Sequence, residues 1–511
     1  MNVRRTATLL LAAVLAFSLW GCTAGEPEPT PSAWSEPTPS QQVQALPFAL
    51  SYDPTASLHP ITSQSQVNLD LAGLVYEGLY ELDRNFEPQP VLARSAAVSG
   101  DGLSWTITLD SGARFSDGTL VTAQHVADSL NTARASALYG GRLSAVSEVT
   151  ASESGAVVIT LSSPNGALDA LLDVPIVLEQ GNGIPLGTGR YRFLRDRGEL
   201  CLSINGNYRQ ALPYDTIPLR EVRGAEERIV AFDSGEVTAA VTDFSSAYAL
   251  GYSGTYEACD FPTTTLLYVG FRTSGGVCAS ARVRQAFSRA FDRASITASL
   301  MAGHGDLACL PVSPLHGAYD QEAASALEYD AQAAGELLTQ AGYALGADGV
   351  RRRGSSPLRV TIAVNNDSAF KQSLAEFLAQ CLESLGVTVT VDAMPWESYQ
   401  SALASGQFDL YLGEVRMTGD FDPGELLTGS LNYGGYASQT MTELLSAWRG
   451  ARGAARDRAA SELWQAFARE APIAPLCFKR GSLLVRWGMV TGVQPTQADL
   501  FWNMEEWELA Q

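Results

Sequence analysis

Between residues 358 and 415 the chain alternates between two hydrophobic periods. Leu358 to Val364 has the length and alternation of a strand. Phe370, Leu374, Phe377, Leu378, Cys381, Leu382 and Leu385 then recur at helical spacing, and Gly386 closes that run. Val387 to Val391 predicts a second strand, Trp396 to Ser405 a short helix, and Phe408 to Val415 a third strand. This order predicts a parallel sheet, because each crossover helix returns the chain to run the same way. Upstream, Ser280 is placed to cap a helix carrying Val283, Ala286, Phe287, Ala290 and Phe291. Asp330 is placed to cap another carrying Ala333, Ala334, Leu337, Leu338 and Ala341, which Gly342 ends. The first third is richer in strands. Trp105 to Leu109 alternates between the turn pairs Asp101-Gly102 and Asp117-Gly118, and Thr122 precedes a helix containing Val126 and Leu130. Residues 156–205 read as short strands between Gly/Pro turns, so mostly β.

In open α/β sheets ligands bind beyond the carboxyl ends of the strands. The segment Arg416-Met417-Thr418-Gly419-Asp420-Phe421-Asp422-Pro423, just past the last strand, is therefore the first place to expect a site. Asp422 before Pro423 also reads as a helix N-cap with proline at the first helical position.

The amino terminus has a different pattern. Arg4 and Arg5 precede an apolar run from Ala7 to Trp20, too short to span a bilayer comfortably, as in an export signal. Leu19-Trp20-Gly21-Cys22 resembles the bacterial lipobox, which implies cleavage before Cys22 and a lipid on its thiol. Residues 23–44 are rich in Pro, Ser, Thr and Glu and nearly free of aliphatics, the composition of a disordered tether. No later apolar run is long enough to span a membrane. The remaining length exceeds what one core usually holds, so two or three lobes are expected.

Charge and cysteine content narrow the function. The chain has 34 basic and 55 acidic side chains; losing residues 1–21 removes Arg4 and Arg5 and no acid, leaving 32 against 55, or −23. Nucleic acid and bare anionic lipid both require a basic surface, so neither is expected as a partner. Cys201, Cys259, Cys278, Cys309, Cys381 and Cys477 show no C-x-x-C spacing, and only four histidines (His59, His125, His304, His316) are scattered among them. No metal site and no cofactor is expected. Cys278 and Cys309 flank one helix and are a candidate disulfide; the alternative is six buried free thiols.

Several segments occur in a specific order. They are Gly73-Leu74-Val75-Tyr76-Glu77-Gly78-Leu79; Asp101-Gly102-Leu103-Ser104-Trp105 through Phe115-Ser116-Asp117-Gly118-Thr119-Leu120-Val121-Thr122-Ala123; and Pro185-Leu186-Gly187-Thr188-Gly189-Arg190-Tyr191. Val283-Arg284-Gln285-Ala286-Phe287 with Ala290-Phe291-Asp292-Arg293 follows, and then Tyr329-Asp330 with Ala341-Gly342-Tyr343. Over residues 45–511 this order resembles the bacterial family 5 solute-binding proteins, the peptide, dipeptide and nickel-chelate receptors of ABC importers. Arg190 stands where that family usually has proline.

The resemblance implies an α/β, two-lobed periplasmic-binding-protein type II fold with a third small inserted domain. Lobe I would take residues 45–64, 184–264 and 478–511, the insert 65–183, and the other lobe 265–477. Trp105, Phe115, Phe287 and Phe291 would belong to the core. Asp420 matches the family's aspartate for a peptide's α-ammonium group, although the tryptophan usual nearby is absent. Arg416 is a candidate for a ligand carboxylate, and Trp396, Tyr433 and Tyr436 are implied around the cleft. The function implied is a monomeric extracytoplasmic receptor, held to the outer face of the membrane or in the periplasm by Cys22, delivering a short peptide to ABC permease subunits. An oligosaccharide, an opine or a metal chelate, and a sensing rather than a transport role, stay open. A serine acyl-enzyme is the remaining alternative: Ser368-Ala369-Phe370-Lys371 matches S-x-x-K, but no K-[ST]-G accompanies it, and Ser368 also fits as a helix N-cap.

Overall fold

The computed structural model describes residues 47–509, apart from 182 and 246–250. The export signal, Cys22 and the tether lie outside the described residues. Helices begin where short polar side chains can take up their free amide groups. The Thr122 hydroxyl accepts from the His125 amide at the head of helix Ala123–Ala135. Asp330 accepts from Ala333, and Ser368 from Lys371. Ser280 precedes helix Ala281–Ala290 but makes no capping bond. The preceding turn is held instead by Arg284, which donates to the carbonyls of Cys278 and Ala279 at 2.9 and 3.2 Å.

The predicted parallel unit forms. Strand Arg359–Asn365 pairs in parallel with both Thr388–Met394 and Leu410–Arg416, so the first strand lies between the other two. Helices Ala369–Glu383 and Trp396–Ser405 make the crossovers. The sheet continues through two long strands, Tyr256–Phe271 and Ile473–Arg486, which run antiparallel to each other. The first pairs with Leu410–Arg416, and the second carries Ala239–Thr242 on its far edge. Their register slips between Pro262 and Leu266. A proline has no amide hydrogen for the ladder, and three threonines follow it. Thr264 in this slip accepts from the Met417 amide at 2.9 Å, while its own amide donates to Gln497 at 2.6 Å. Lys479, at the same level of the second strand, pairs with Asp243 and with Glu414, and Glu414 also pairs with Lys371.

Two further four-stranded sheets occupy the first half. One joins Leu50–Tyr52, Thr216–Glu221, Glu199–Ile204 and Tyr191–Asp196; the other joins Ala93–Val98, Ser104–Leu109, Val157–Leu161 and Val146–Ala151. Residues 162–190 are not the mostly β segment that their composition suggests. Their described residues contain a 3-10 turn at Leu168–Leu171 and one isolated bridge between Leu178 and Leu186, with irregular chain elsewhere. Pro164, Pro175 and Pro185 interrupt any ladder, while Leu168, Leu172, Val174 and Ile176 are still buried. One large core draws on residues 48–261 and 483–507, and two more lie almost wholly within 266–478. Trp105, Phe115, Phe287 and Phe291 are fully buried.

All six described cysteines are free, so the candidate bridge between Cys278 and Cys309 is not formed. The two thiols belong to different cores, which keeps them apart. Burial raises the thiols of Cys278 and Cys309 above their ordinary pKa, and that of Cys477 to about 12. Among the described residues no helix is long and apolar enough to cross a membrane.

Candidate functional site

A cavity of about 1040 Å³ opens at the carboxyl end of strand Leu410–Arg416. The segment singled out from the strand order, Arg416 to Asp420 with Asp422, forms one wall. The opposing walls come from residues far away in sequence, including Glu77, Glu81, Arg142, Asp173, Arg190 and Glu505. This volume is at the upper end for small-ligand sites.

The wall segment is tightly determined. A side chain at Gly419 would have its Cβ 2.5 Å from the Ala170 carbonyl oxygen, so only glycine allows the two segments to approach. Phe421 follows in left-handed backbone (φ 52°), unusual for an aromatic residue. Its ring compensates by full burial, edge-on to Phe86 at 5.0 Å and Phe478 at 5.5 Å. Between these, Asp420 is 3% exposed and turns its carboxylate to the cavity side. One oxygen accepts from Thr418 Oγ1 at 2.6 Å and the other from Asn165 Nδ2 at 3.1 Å. Burial, and then the nearby Asp422 charge, raise its pKa above the ordinary carboxylate value. A carboxyl group so placed gains from meeting a cation.

Asp422 behaves differently from its expected role. The N-cap of the short helix Gly424–Leu427 is Pro423. Asp422 still accepts from the Gly424 amide at 2.7 Å, but it also binds both faces of the Arg449 fork, Nε and Nη2. Two charge-assisted bonds to one guanidinium are stronger than a cap, so the arginine decides its position. Arg416 reaches solvent within the cleft yet is surrounded by protein. Burial and the neighbouring Arg142 charge lower its pKa, with Asp173 opposing.

Trp396, Tyr433 and Tyr436 do not line this cavity. Trp396 is 50% exposed and stacks on Tyr399. Tyr433 lies edge-on to Tyr411, and Tyr436 is buried with its hydroxyl on Glu470. Gly434 between them packs on the Phe271 carbonyl, and Phe271 pairs with Leu410. That contact draws the segment toward the amino end of the last parallel strand. Ser368 is used as a cap, and Lys371 pairs with Glu414 at 2.8 Å.

The wall residues that sequence reasoning missed are mostly charged and mutually paired. Arg209 bonds Glu77 at 3.1 Å, Arg142 lies 2.6 Å from Asp173, and buried Arg190 bonds Asp499 at 2.7 Å and Glu505 at 2.9 Å. Two signals for them were present. Glu77 and Arg190 both sit inside otherwise apolar or glycine-rich motif segments, where a charge calls for a partner.

Comparison with known proteins bears on family and fold. Residues 87–438 match the model of the bacterial extracellular solute-binding proteins, family 5 (middle region). The oligopeptide-binding protein AppA of Bacillus subtilis is 23% identical over 428 residues, 78% of each chain. The glutathione-binding protein GsiB of Salmonella typhimurium is 27% identical over 357 residues, 66% of this chain and 67% of its own. The structure of HbpA2 from Haemophilus parasuis superposes with a TM-score of 0.73 at 18% identity, covering 91% of this chain and 99% of that one. The family model matches more than half of the sequence, and the chain belongs to the bacterial extracellular solute-binding proteins of family 5.

Proposed function

We propose that this chain is the solute receptor of an ABC importer, taking up a short peptide in the 1040 Å³ cavity and presenting it to the permease. The observation that carries the reading is the position of that cavity: it lies beyond the last parallel strand, with charges of both signs on its walls. A peptide needs both signs, because its ends carry opposite charge. Asp420 is the proposed partner of a ligand ammonium group and Arg416 that of a carboxylate. The names of the oligopeptide-binding AppA and the glutathione-binding GsiB support the ligand class.

Two lobes with an insert, divided as 45–64, 184–264 and 478–511 against 265–477 with 65–183 inserted, remain the proposed organisation. The cores support the division between 265–477 and the rest, while the insert shares one core with lobe I. Thr264 and the register slip beside it lie where the two lobes would turn, and Thr264 binds both Met417 and Gln497 of the cavity wall. A change in lobe angle would therefore be felt directly at the site. Cys22 is the proposed lipid anchor and the receptor a monomer.

The test is thermal unfolding of residues 45–511 with ligand pools. A ligand at about 100 times its dissociation constant adds roughly 2.7 kcal/mol. In a body of this size that corresponds to a rise in Tm of about 3 °C. Peptide pools of two to eight residues should produce it. If they fail while a sugar or chelate pool succeeds, the peptide assignment is wrong.

A further inference from the structure

Glu81 stands out among the charged residues facing the cavity from the first half of the chain. It is the middle residue of strand Tyr80–Leu82, flanked by two buried neighbours, and its side chain points the other way, onto the cavity wall. Its neighbours are committed elsewhere. Glu77 has Arg209, Asp173 has Arg142, and Asp499 and Glu505 share Arg190. Glu81 is left over: among the described residues its carboxylate has no hydrogen bond and no ion pair. Five carboxylates thus share three guanidinium groups, and the odd one faces the cavity.

A half-buried carboxylate with no donor has two routes to satisfaction. It can hold a proton, or it can meet a cation that enters from outside. Burial and then the Asp499 charge push its pKa well above the ordinary range, helped by Glu77 and Asp173 and opposed by Arg190. The group is therefore poorly served by the protein alone. Its charged surroundings also differ from those of Asp420, which feels Asp422 and Arg456 and already has two donors.

We infer that Glu81 is a second cation-recognising residue, which selects ligands carrying a positively charged nitrogen at the wall shared by Glu77, Asp173 and Arg190. The inference rests on the receptor reading above and adds the residue that sets charge specificity. An amino terminus and a basic side chain both supply the required chemistry.

The experiment compares the unaltered chain with Glu81→Gln by calorimetric titration. The probes are Ala-Lys-Ala, its isostere Ala-norleucine-Ala, and N-acetyl-Ala-Lys-Ala, with spermidine as a cation outside the peptide class. In the unaltered chain a cationic probe should bind more tightly than the matching neutral one. In Glu81→Gln that ratio should shrink on the order of tenfold or more, because a buried charge loses its only partner. Loss of the lysine-over-norleucine preference identifies a side-chain subsite; loss of the free-over-acetylated preference identifies an amino-terminal one. Either outcome supports the inference. The ligand-free Tm of Glu81→Gln should hold or rise, since a raised carboxyl pKa marks an ionised form that costs stability. If both preferences survive the substitution, the inference is overturned. If no tripeptide binds either protein, the peptide reading falls, and the spermidine ratio alone judges Glu81: an unchanged ratio overturns it too.

Discussion

Replacing Arg190 with methionine removes the centre of a buried charge network while retaining most of the side-chain volume. Arg190 donates to Asp499 at 2.7 Å, to Glu505 at 2.9 Å and to the Gly73 carbonyl at 3.1 Å. Glu505 also accepts from the Tyr208 hydroxyl. Gly73 has no room for a side chain, since a Cβ there would lie 2.3 Å from Asp499 Oδ1. The network therefore cannot relax by moving this strand of chain. Removing one partner of a buried pair costs about 3–5 kcal/mol, mainly because the remaining charge is left uncompensated. For a domain body of this size each kcal/mol moves Tm by about 1 °C, so a loss of about 3–5 °C is expected by scanning calorimetry at pH 7.5.

The pH dependence tests the cause. Burial alone would raise the Glu505 carboxyl, but the Arg190 charge and the Tyr208 hydroxyl outweigh it and hold the pKa below the ordinary range. A depressed carboxyl pKa contributes stability above its unfolded value, and that contribution is lost as pH falls through the folded value. In Arg190→Met the Glu505 carboxylate can instead take up a proton, so the deficit should shrink to less than about half by pH 4.5. Converting Asp499 and Glu505 to their amides in the same background should restore part of the loss. A deficit under about 1 kcal/mol at pH 7.5, or one that does not change with pH, would refute the charge argument. In that case Arg190 acts by packing alone.

Three further expectations follow from other sites. Asp420→Asn should weaken binding of the peptide that stabilises the protein by roughly 10²–10³-fold while leaving the ligand-free Tm unchanged or higher; that loss in Asp422→Asn, with binding retained in Asp420→Asn, would show that the two carboxylates have exchanged roles. Asp422→Asn itself should lower the ligand-free Tm, because it leaves Arg449 with half its bidentate partner. Burial lifts Asp70 to about 6, with Gln66 and the distant Arg228 (3.8 Å) compensating only in part. A raised carboxyl pKa gives stability that is present below the unfolded value and lost as pH rises through about 6, so Asp70→Asn should gain up to about 3 kcal/mol at pH 8 and none at pH 3, checked by urea unfolding at both. Finally, Cys22→Ser should abolish any lipid mass addition and detergent partitioning; unchanged partitioning would exclude that anchor.

The parts of the fold that could be read from sequence are those in which burial repeats locally. The helix stripe from Phe370 to Leu385 and the strands around it form because each residue's environment follows from its near neighbours. The place of Arg416 and Asp420 on the cavity wall was legible for the same reason: the end of a parallel strand is a local landmark. The opposing wall had no such landmark. Glu81, Arg142, Asp173 and Glu505 come from separate stretches, and the irregular chain between 162 and 190 gives no period to count. Trp396, Tyr433 and Tyr436 show the reverse difficulty. Their order along the chain resembles cleft residues, but a backbone contact between Gly434 and Phe271 directs the two tyrosines elsewhere, and Trp396 stacks on Tyr399 at the head of its own helix. Arg190, where the family usually has proline, is explained only by partners far away in sequence, Gly73, Asp499 and Glu505.

The six free thiols have a consequence for how this protein endures outside a cell, where its family works. While folded, Cys278, Cys309 and Cys477 are shielded and hold their protons, and a thiol without its thiolate scarcely reacts with oxidants. Unfolding exposes all of them together at ordinary reactivity, in a medium where mismatched bridges form and are not reduced. Each excursion then risks becoming permanent, since a wrongly bridged chain cannot repack either core. Working lifetime would be governed by the rate of first opening rather than by the equilibrium between states. Six free thiols among the described residues thus make unfolding a one-way exit, and they place selection on the height of the barrier that guards it.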